Sequence, residues 1–185
     1  MLDVHGSDRR VSVNPLADAR LPTNERDANR TFDDDVRPLI VPLHRYLRRR
    51  VDSAPDADDC LSEALLVLWR HRDRLPADVS EKRLWAFGVA KGVLSNHHRS
   101  QRRRAALHER MMAEQRIAQK TSDTNSNAAV YDALAKLKTA DREPIMLVAW
   151  DGFAVVDAGT LLGLSAAAAR TRYSRAKAKL RNELM

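Results

Sequence analysis

From Val155 to Lys179 the sequence reads as a helix, a glycine-containing turn and a capped helix, and few other shapes fit that string. Ser165 stands where a cap is needed, directly after Gly163-Leu164, and opens a helix expected over Ala166 to about Glu183. On that helix Ala169, Tyr173, Ala176 and Leu180 recur at steps of four, three and four, which makes one inward face. The opposite face carries Arg170, Arg172, Arg175, Lys177, Lys179 and Arg181 with no acid among them. Two crossing helices need small residues where they touch, and Ala158 and Gly159 supply them. The turn needs a residue that tolerates left-handed dihedrals, and Gly163 supplies that. This is the pattern of a helix-turn-helix, whose second helix enters a DNA major groove. Arg170, Thr171, Ser174 and Arg175 are then the side chains left to meet bases or phosphates. An ordinary helical hairpin with a solvated charged face has the same pattern.

Helical spacing dominates the rest of the 185 residues, and no segment alternates apolar and polar residues for long. The expectation is an all-α chain of two small helical domains joined by a flexible linker. Residues 31–104 carry 15 basic and 11 acidic side chains, and residues 129–185 carry nine and six. Residues 1–30 and 105–128 are each electrically neutral and poor in apolar periodicity, so they read as a disordered tail and a linker. The first half of the linker, from Ala105 to Gln119, is able to continue as helix. In the first module Leu39, Leu43, Tyr46 and Leu47 mark a helix that Pro42 should bend or delay. Asp56 is a plausible cap for a second helix, and Ser80 for a third that runs to about Gln101 with Leu84, Trp85, Val89, Val93 and Leu94 inward. Four shorter helices are expected in the second module.

The net charge of +7 points to a polyanionic partner. Arg99, Arg102, Arg103 and Arg104 exceed what capping a helix end requires and suit phosphate contact. Between Arg50 and Arg70 the chain has acids only: Asp52, Asp56, Asp58, Asp59 and Glu63. Such a patch should repel DNA and face a protein, although helix capping explains Asp56, Asp58 and Asp59 equally well.

Other classes find little support. No apolar run approaches the ~20 residues of a membrane span, so no membrane is expected. No export signal is apparent, and the single Cys60 allows no internal disulfide, which fits a cytoplasmic setting. Six glycines and no phosphate-binding loop string argue against a nucleotide-binding enzyme. His97 and His98 are adjacent and point apart on a helix, and a helix-start acid run accounts for Asp33-Asp34-Asp35. No catalytic residue, metal or cofactor is expected.

The order of modules resembles the extracytoplasmic-function sigma factors, a group of the sigma-70 family of bacterial RNA polymerase subunits. Asp56-Ala-Asp-Asp-Cys-Leu-Ser-Glu-Ala-Leu-Leu-Val-Leu-Trp-Arg70 is similar to the group's polymerase-docking helix. Leu84-Trp85-Ala-Phe-Gly-Val-Ala-Lys91 and Ala133-Leu-Ala-Lys-Leu-Lys-Thr-Ala-Asp-Arg-Glu143 resemble two further family segments. Trp150-Asp-Gly-Phe and Leu162-Gly-Leu-Ser165 fit its helix-turn-helix. The resemblance implies a sigma region 2 bundle over 31–104 and a sigma region 4 over 129–185. It implies that Asp58, Asp59, Glu63, Leu66 and Trp69 dock on the polymerase β′ clamp helices, with the β flap as a second contact. It implies that Ser80, Lys82, Arg83, Asn96, His97, Arg99, Arg102 and Arg103 meet the promoter −10 element. Ser165, Arg170, Thr171, Ser174, Arg175 and Lys177 would meet the −35 element. Many relatives are held inactive by an anti-sigma factor, which adds one to the implied partners. The competing reading is a free-standing helix-turn-helix regulator that works without polymerase.

Overall fold

The structure is a computed structural model that describes residues 25–111 and 128–185. Expectations for the remaining tail and linker residues lie outside the described residues. The described chain is all-α: α1 (Glu25–Arg48), α2 (Ala54–Arg70), a 3-10 turn (Arg72–Arg74), α3 (Val79–Met111), α4 (Ala128–Lys136), α5 (Thr139–Ala149), α6 (Val155–Leu161) and α7 (Ala166–Leu184). α1 begins inside the stretch read as a tail, and α3 carries into the stretch read as a linker.

The first three helices form one bundle. Phe32, Val36, Leu39, Leu43, Tyr46 and Leu47 make the buried stripe of α1. The helix is not delayed by Pro42 but continues without a break through both Pro38 and Pro42. Each interior proline removes a backbone bond, but the stripe is anchored on both sides of them, and tertiary burial outweighs local propensity. The cap of α2 is Ser53 rather than Asp56: the Ser53 Oγ accepts from the Asp56 N–H at 3.1 Å and donates to Asp56 Oδ2 at 2.7 Å. Its buried face is Ala57, Cys60, Ala64 and Leu68, small residues that let it lie close to its neighbours. Burial pushes the Cys60 thiol up from its ordinary value, and Glu63, Asp56 and Asp59 push the same way. That keeps it protonated and unreactive.

α3 is likewise capped by a residue other than the expected one, Asp78 two positions before Ser80. Asp78 Oδ1 accepts from the N–H groups of Ser80 and Glu81, both at 2.9 Å. Its most buried residues are Ala86, Phe87, Ala90, Val93 and Leu94. Leu84, Trp85 and Val89 are only half-buried, because the small Ala86 and Ala90 bring the backbone itself into the core.

The second module has its own small core of Leu134, Ile145 and Ala176, flanked by Val130, Leu137, Trp150, Tyr173 and Leu180. Within it α6 and α7 cross as the sequence requires. Gly163 takes φ of 72°, and Ser165 Oγ caps α7 by accepting from the Ala168 N–H at 3.3 Å. Ala154, at the start of α6, supplies no side-chain cap.

The two modules are not separate in packing. Leu147, Phe153, Ala158 and Leu161 of the second module join the core of the first three helices. The Phe87 and Phe153 rings meet edge to face, with centroids 4.8 Å apart.

Candidate nucleic-acid interface

Three surfaces carry the residues expected to act. On α2, Asp58, Asp59 and Glu63 are exposed, opposite the buried Ala57, Cys60, Ala64 and Leu68. Leu66 stands 55% exposed beside them. Asp58 is bonded to His44 Nε2 at 2.9 Å yet keeps most of its side chain in solvent. Trp69, also expected on this surface, is half-buried. Its ring packs edge-on against Phe32 at 5.0 Å, with the Arg72 guanidinium over it at 4.5 Å.

Along α3, Ser80, Asn96, Arg99, Arg102, Arg103 and Arg104 are exposed. Two of the cations expected there are not. Lys82 is 8% exposed and pairs with Asp35 of α1, so it ties two helices together instead of meeting a strand. That pairing also gives Asp35 a structural role. Arg83 donates to the backbone carbonyls of Asp151 and Gly152 in the second module, and its guanidinium lies 4.4 Å from the Phe153 ring centroid. His97 is half-buried with Nε2 3.9 Å from Asp56 Oδ1. His98 Nε2 donates to the Arg50 carbonyl at 3.0 Å.

On α7, Arg170, Thr171, Ser174, Arg175 and Lys177 are all exposed while Ala169 and Ala176 are buried. Arg170, Ser174 and Lys177 follow one another at steps of four and three, so they line one side of the helix. Ser165 serves the helix as its cap, so its hydroxyl is already engaged. Farther along, Lys179 binds Asp141 at 2.5 Å, so the cationic stripe is free at its start and tethered toward its end.

Sequence reasoning missed a fourth cluster, at the junction of the modules. Asp151 is buried, and its carboxylate takes Arg49 and, at 3.2 Å, Arg50 Nη2. Arg50 also donates through Nε to Glu143 at 3.0 Å and through Nη1 to the Tyr46 carbonyl at 3.0 Å. Its guanidinium lies 3.9 Å from the Tyr46 ring centroid. Burial pushes the Tyr46 hydroxyl far above its ordinary range, so it stays neutral. Lys91 of α3 donates to the Leu161 carbonyl at the end of α6. The signal in the sequence was an acid held between Trp150 and Phe153 and an arginine run ending α1.

Among the described residues no group of three or more His, Cys, Asp or Glu is placed to hold a metal ion. Among them no helix is long and apolar enough to cross a membrane.

Residues 36–104 match the family described as Sigma-70 region 2, and residues 127–180 match Sigma-70, region 4. The ECF RNA polymerase sigma factor SigL of Mycobacterium tuberculosis is 27% identical over 142 residues, spanning 75% of this chain and 80% of its own. The RNA polymerase sigma-E factor of Streptomyces avermitilis is 28% identical over 156 residues, or 83% of this chain and 84% of its own. Among solved structures, CnrH in complex with the cytosolic domain of CnrY superposes with a TM-score of 0.60 at 28% identity, over 86% of this chain and 93% of that one. The sigma factor RpoE bound to the anti-sigma factor NepR from Bartonella quintana shares the fold, with a TM-score of 0.67 at 20% identity over 84% of this chain and 97% of that one.

Proposed function

The chain belongs to the extracytoplasmic-function group of the sigma-70 family, and from that premise we propose that it binds core RNA polymerase through α2 and directs it to promoters through α3 and α7. The observation that carries this reading is the outer face of α2. Asp58, Asp59, Glu63 and Leu66 are exposed together on a helix whose other side is closed by the protein's own core. Carboxylates on a chain of net charge +7 repel nucleic acid and suit a protein surface of opposite charge. Leu66 adds the apolar contact that gives such an interface hold. Polymerase docking at the β′ clamp helices, with a second contact at the β flap, is the partner chemistry that fits.

Promoter contact falls to two separate cation sets. Asn96, Arg99, Arg102 and Arg103 line the outer part of α3 for the −10 element, with Ser80 at the head of that helix. Arg170, Thr171, Ser174, Arg175 and Lys177 present the first two thirds of the recognition helix to the −35 element. The similar chains CnrH and RpoE are held in complexes with CnrY and with the anti-sigma factor NepR, and an antagonist of that class is a partner for this chain as well. The protein acts by binding and positioning, with no catalytic step of its own.

Co-purification tests the docking face. The wild-type chain should be retained by core polymerase, and the triple variant Asp58→Lys, Asp59→Lys, Glu63→Lys should be lost from it while keeping its helical spectrum. Retention of the triple variant contradicts the assignment.

A further inference from the structure

We infer that the cleft lined by the end of α1, by α3, α4 and α5 is a binding site for a mononucleotide. Its volume is about 380 Å³. That is near the lower end of what small-molecule sites occupy, about 300–1,000 Å³, and gives room for one nucleotide but none for a strand. Two guanidiniums on its wall have donors without acceptors. Arg142 is half-buried, and its side chain makes no hydrogen bond or ion pair among the described residues. Arg49 engages Asp151 through Nη2, while its Nε is buried with no hydrogen-bond partner among the described residues. A buried donor left open in this way is destabilising until an acceptor reaches it. The neighbouring Arg50 is fully engaged, through Nε with Glu143, through Nη1 with the Tyr46 carbonyl and through Nη2 with Asp151. It backs the wall and holds those two acids, which leaves Arg142 and Arg49 Nε to meet an anion.

The rest of the wall selects what carries the anion. Tyr131 and Trp150 line the same cleft and stack on each other, 10° from parallel with ring centroids 5.4 Å apart. Tyr131 is nevertheless 41% exposed, so ring surface is left for a flat ligand to cover. Leu94, Leu134 and Met146 add apolar lining. Inorganic phosphate would leave this aromatic and apolar surface unused, and an uncharged nucleoside would leave the guanidiniums unused. A phosphate brings three oxygens to two arginines where a carboxylate brings two, and guanidinium pairs with it bidentately. Asp52, exposed on the same lining, is an acceptor that suits a ribose hydroxyl. Every base has a π-face, so the stack tolerates any of them. The inference is independent of polymerase docking and promoter contact, because Arg49, Tyr131, Arg142 and Trp150 belong to none of those faces.

Calorimetric titration of the full wild-type chain with adenosine 5′-monophosphate tests the site. One nucleotide should bind per chain, roughly tenfold or more tighter than inorganic phosphate or adenosine, since each of those lacks one half of the contacts. Arg142→Gln and Tyr131→Ala each remove one half from the protein's side and should each weaken binding roughly tenfold. Neither side chain is in the core, so both variants should keep the wild-type helical spectrum. Arg37→Gln, the same loss of charge at an exposed position of α1, should bind as wild type does. A wild-type chain that takes up no nucleotide at millimolar concentration overturns the site, whether or not the variants fold. So does binding that Arg142→Gln and Tyr131→Ala leave unchanged, which would put the nucleotide on the exposed arginines of α3 or α7. Phosphate or adenosine binding as tightly as the nucleotide overturns the pairing of anion with ring. A chain that fails to hold polymerase yet binds the nucleotide in this pattern contradicts the docking proposal and supports the site.

Discussion

An ideal Cβ built on Gly159 would lie 2.4 Å from the Cβ of Ala169, closer than real carbon atoms approach. The crossing of α6 and α7 is therefore made of one absent side chain and one methyl group. Gly159→Ala should destabilise the chain by about 1–3 kcal/mol through overpacking. Gly92 lies in mid-helix with nothing within 4 Å of the added Cβ. Gly92→Ala should stabilise by about 0.5–1 kcal/mol, because alanine restricts the unfolded chain and favours helix. Denaturant midpoints of the two variants should shift in opposite directions. A shared sign contradicts the packing at one of the two sites.

The cap of the recognition helix is a second test. Ser165 accepts from the Ala168 N–H, and Ser165→Ala should cost about 1 kcal/mol. Ser165→Asp should restore stability, since its carboxylate caps equally well at the positive end of the helix. Thermal unfolding of both variants checks it; equal losses would mean that the hydroxyl does something other than cap.

Arg170 and Arg175 are exposed in the first turns and at the middle of α7. Replacing either with alanine should weaken promoter binding by the polymerase complex. An arginine that neutralises one phosphate should also lower the slope of log affinity against log salt by about 1. An arginine that reads a base edge should cost about 1–3 kcal/mol at one promoter position only. Binding titrations at several salt concentrations separate the two. No change in affinity or slope for both would remove α7 from the promoter.

Burial pushes the Asp151 carboxyl above the ordinary carboxylate range, and Arg50 and Arg49 pull it back only in part. The folded chain then keeps this proton to a higher pH than the unfolded chain does. The group's stabilising contribution is complete below its unfolded value, about 4, and is lost as pH rises through the folded value. Asp151→Asn removes the titration. The melting temperature of wild type minus that of Asp151→Asn should therefore fall as pH rises from about 4 toward neutrality. A difference that stays level or grows contradicts the sign.

Periodicity, caps and turns made the helices of the second module legible, because Gly163, Ser165 and the spacing from Ala169 to Leu180 are local signals. The first module was legible in its elements but not in its caps. Ser53 and Asp78 act through hydrogen bonds to N–H groups a turn downstream, and Asp56 and Ser80 were equally good candidates by residue type. The exposed acids of α2 could be read from the helical repeat alone. Lys82 and Arg83 could not, because what removes them from the surface is Asp35, 47 residues away, and the Asp151 carbonyl, 68 residues away. The junction of the modules was invisible for the same reason. It depends on Phe153 and Leu161 reaching Phe87 and Lys91 across the linker, and no local pattern encodes that meeting.

Run-off transcription with core polymerase on a genomic promoter library puts the account to its most direct trial. The wild-type chain should produce transcripts with discrete start sites sharing a two-part upstream motif, and the triple charge reversal of Asp58, Asp59 and Glu63 should abolish them. Undiminished transcripts from the reversed chain, or no start-site selection by the wild type, would contradict it.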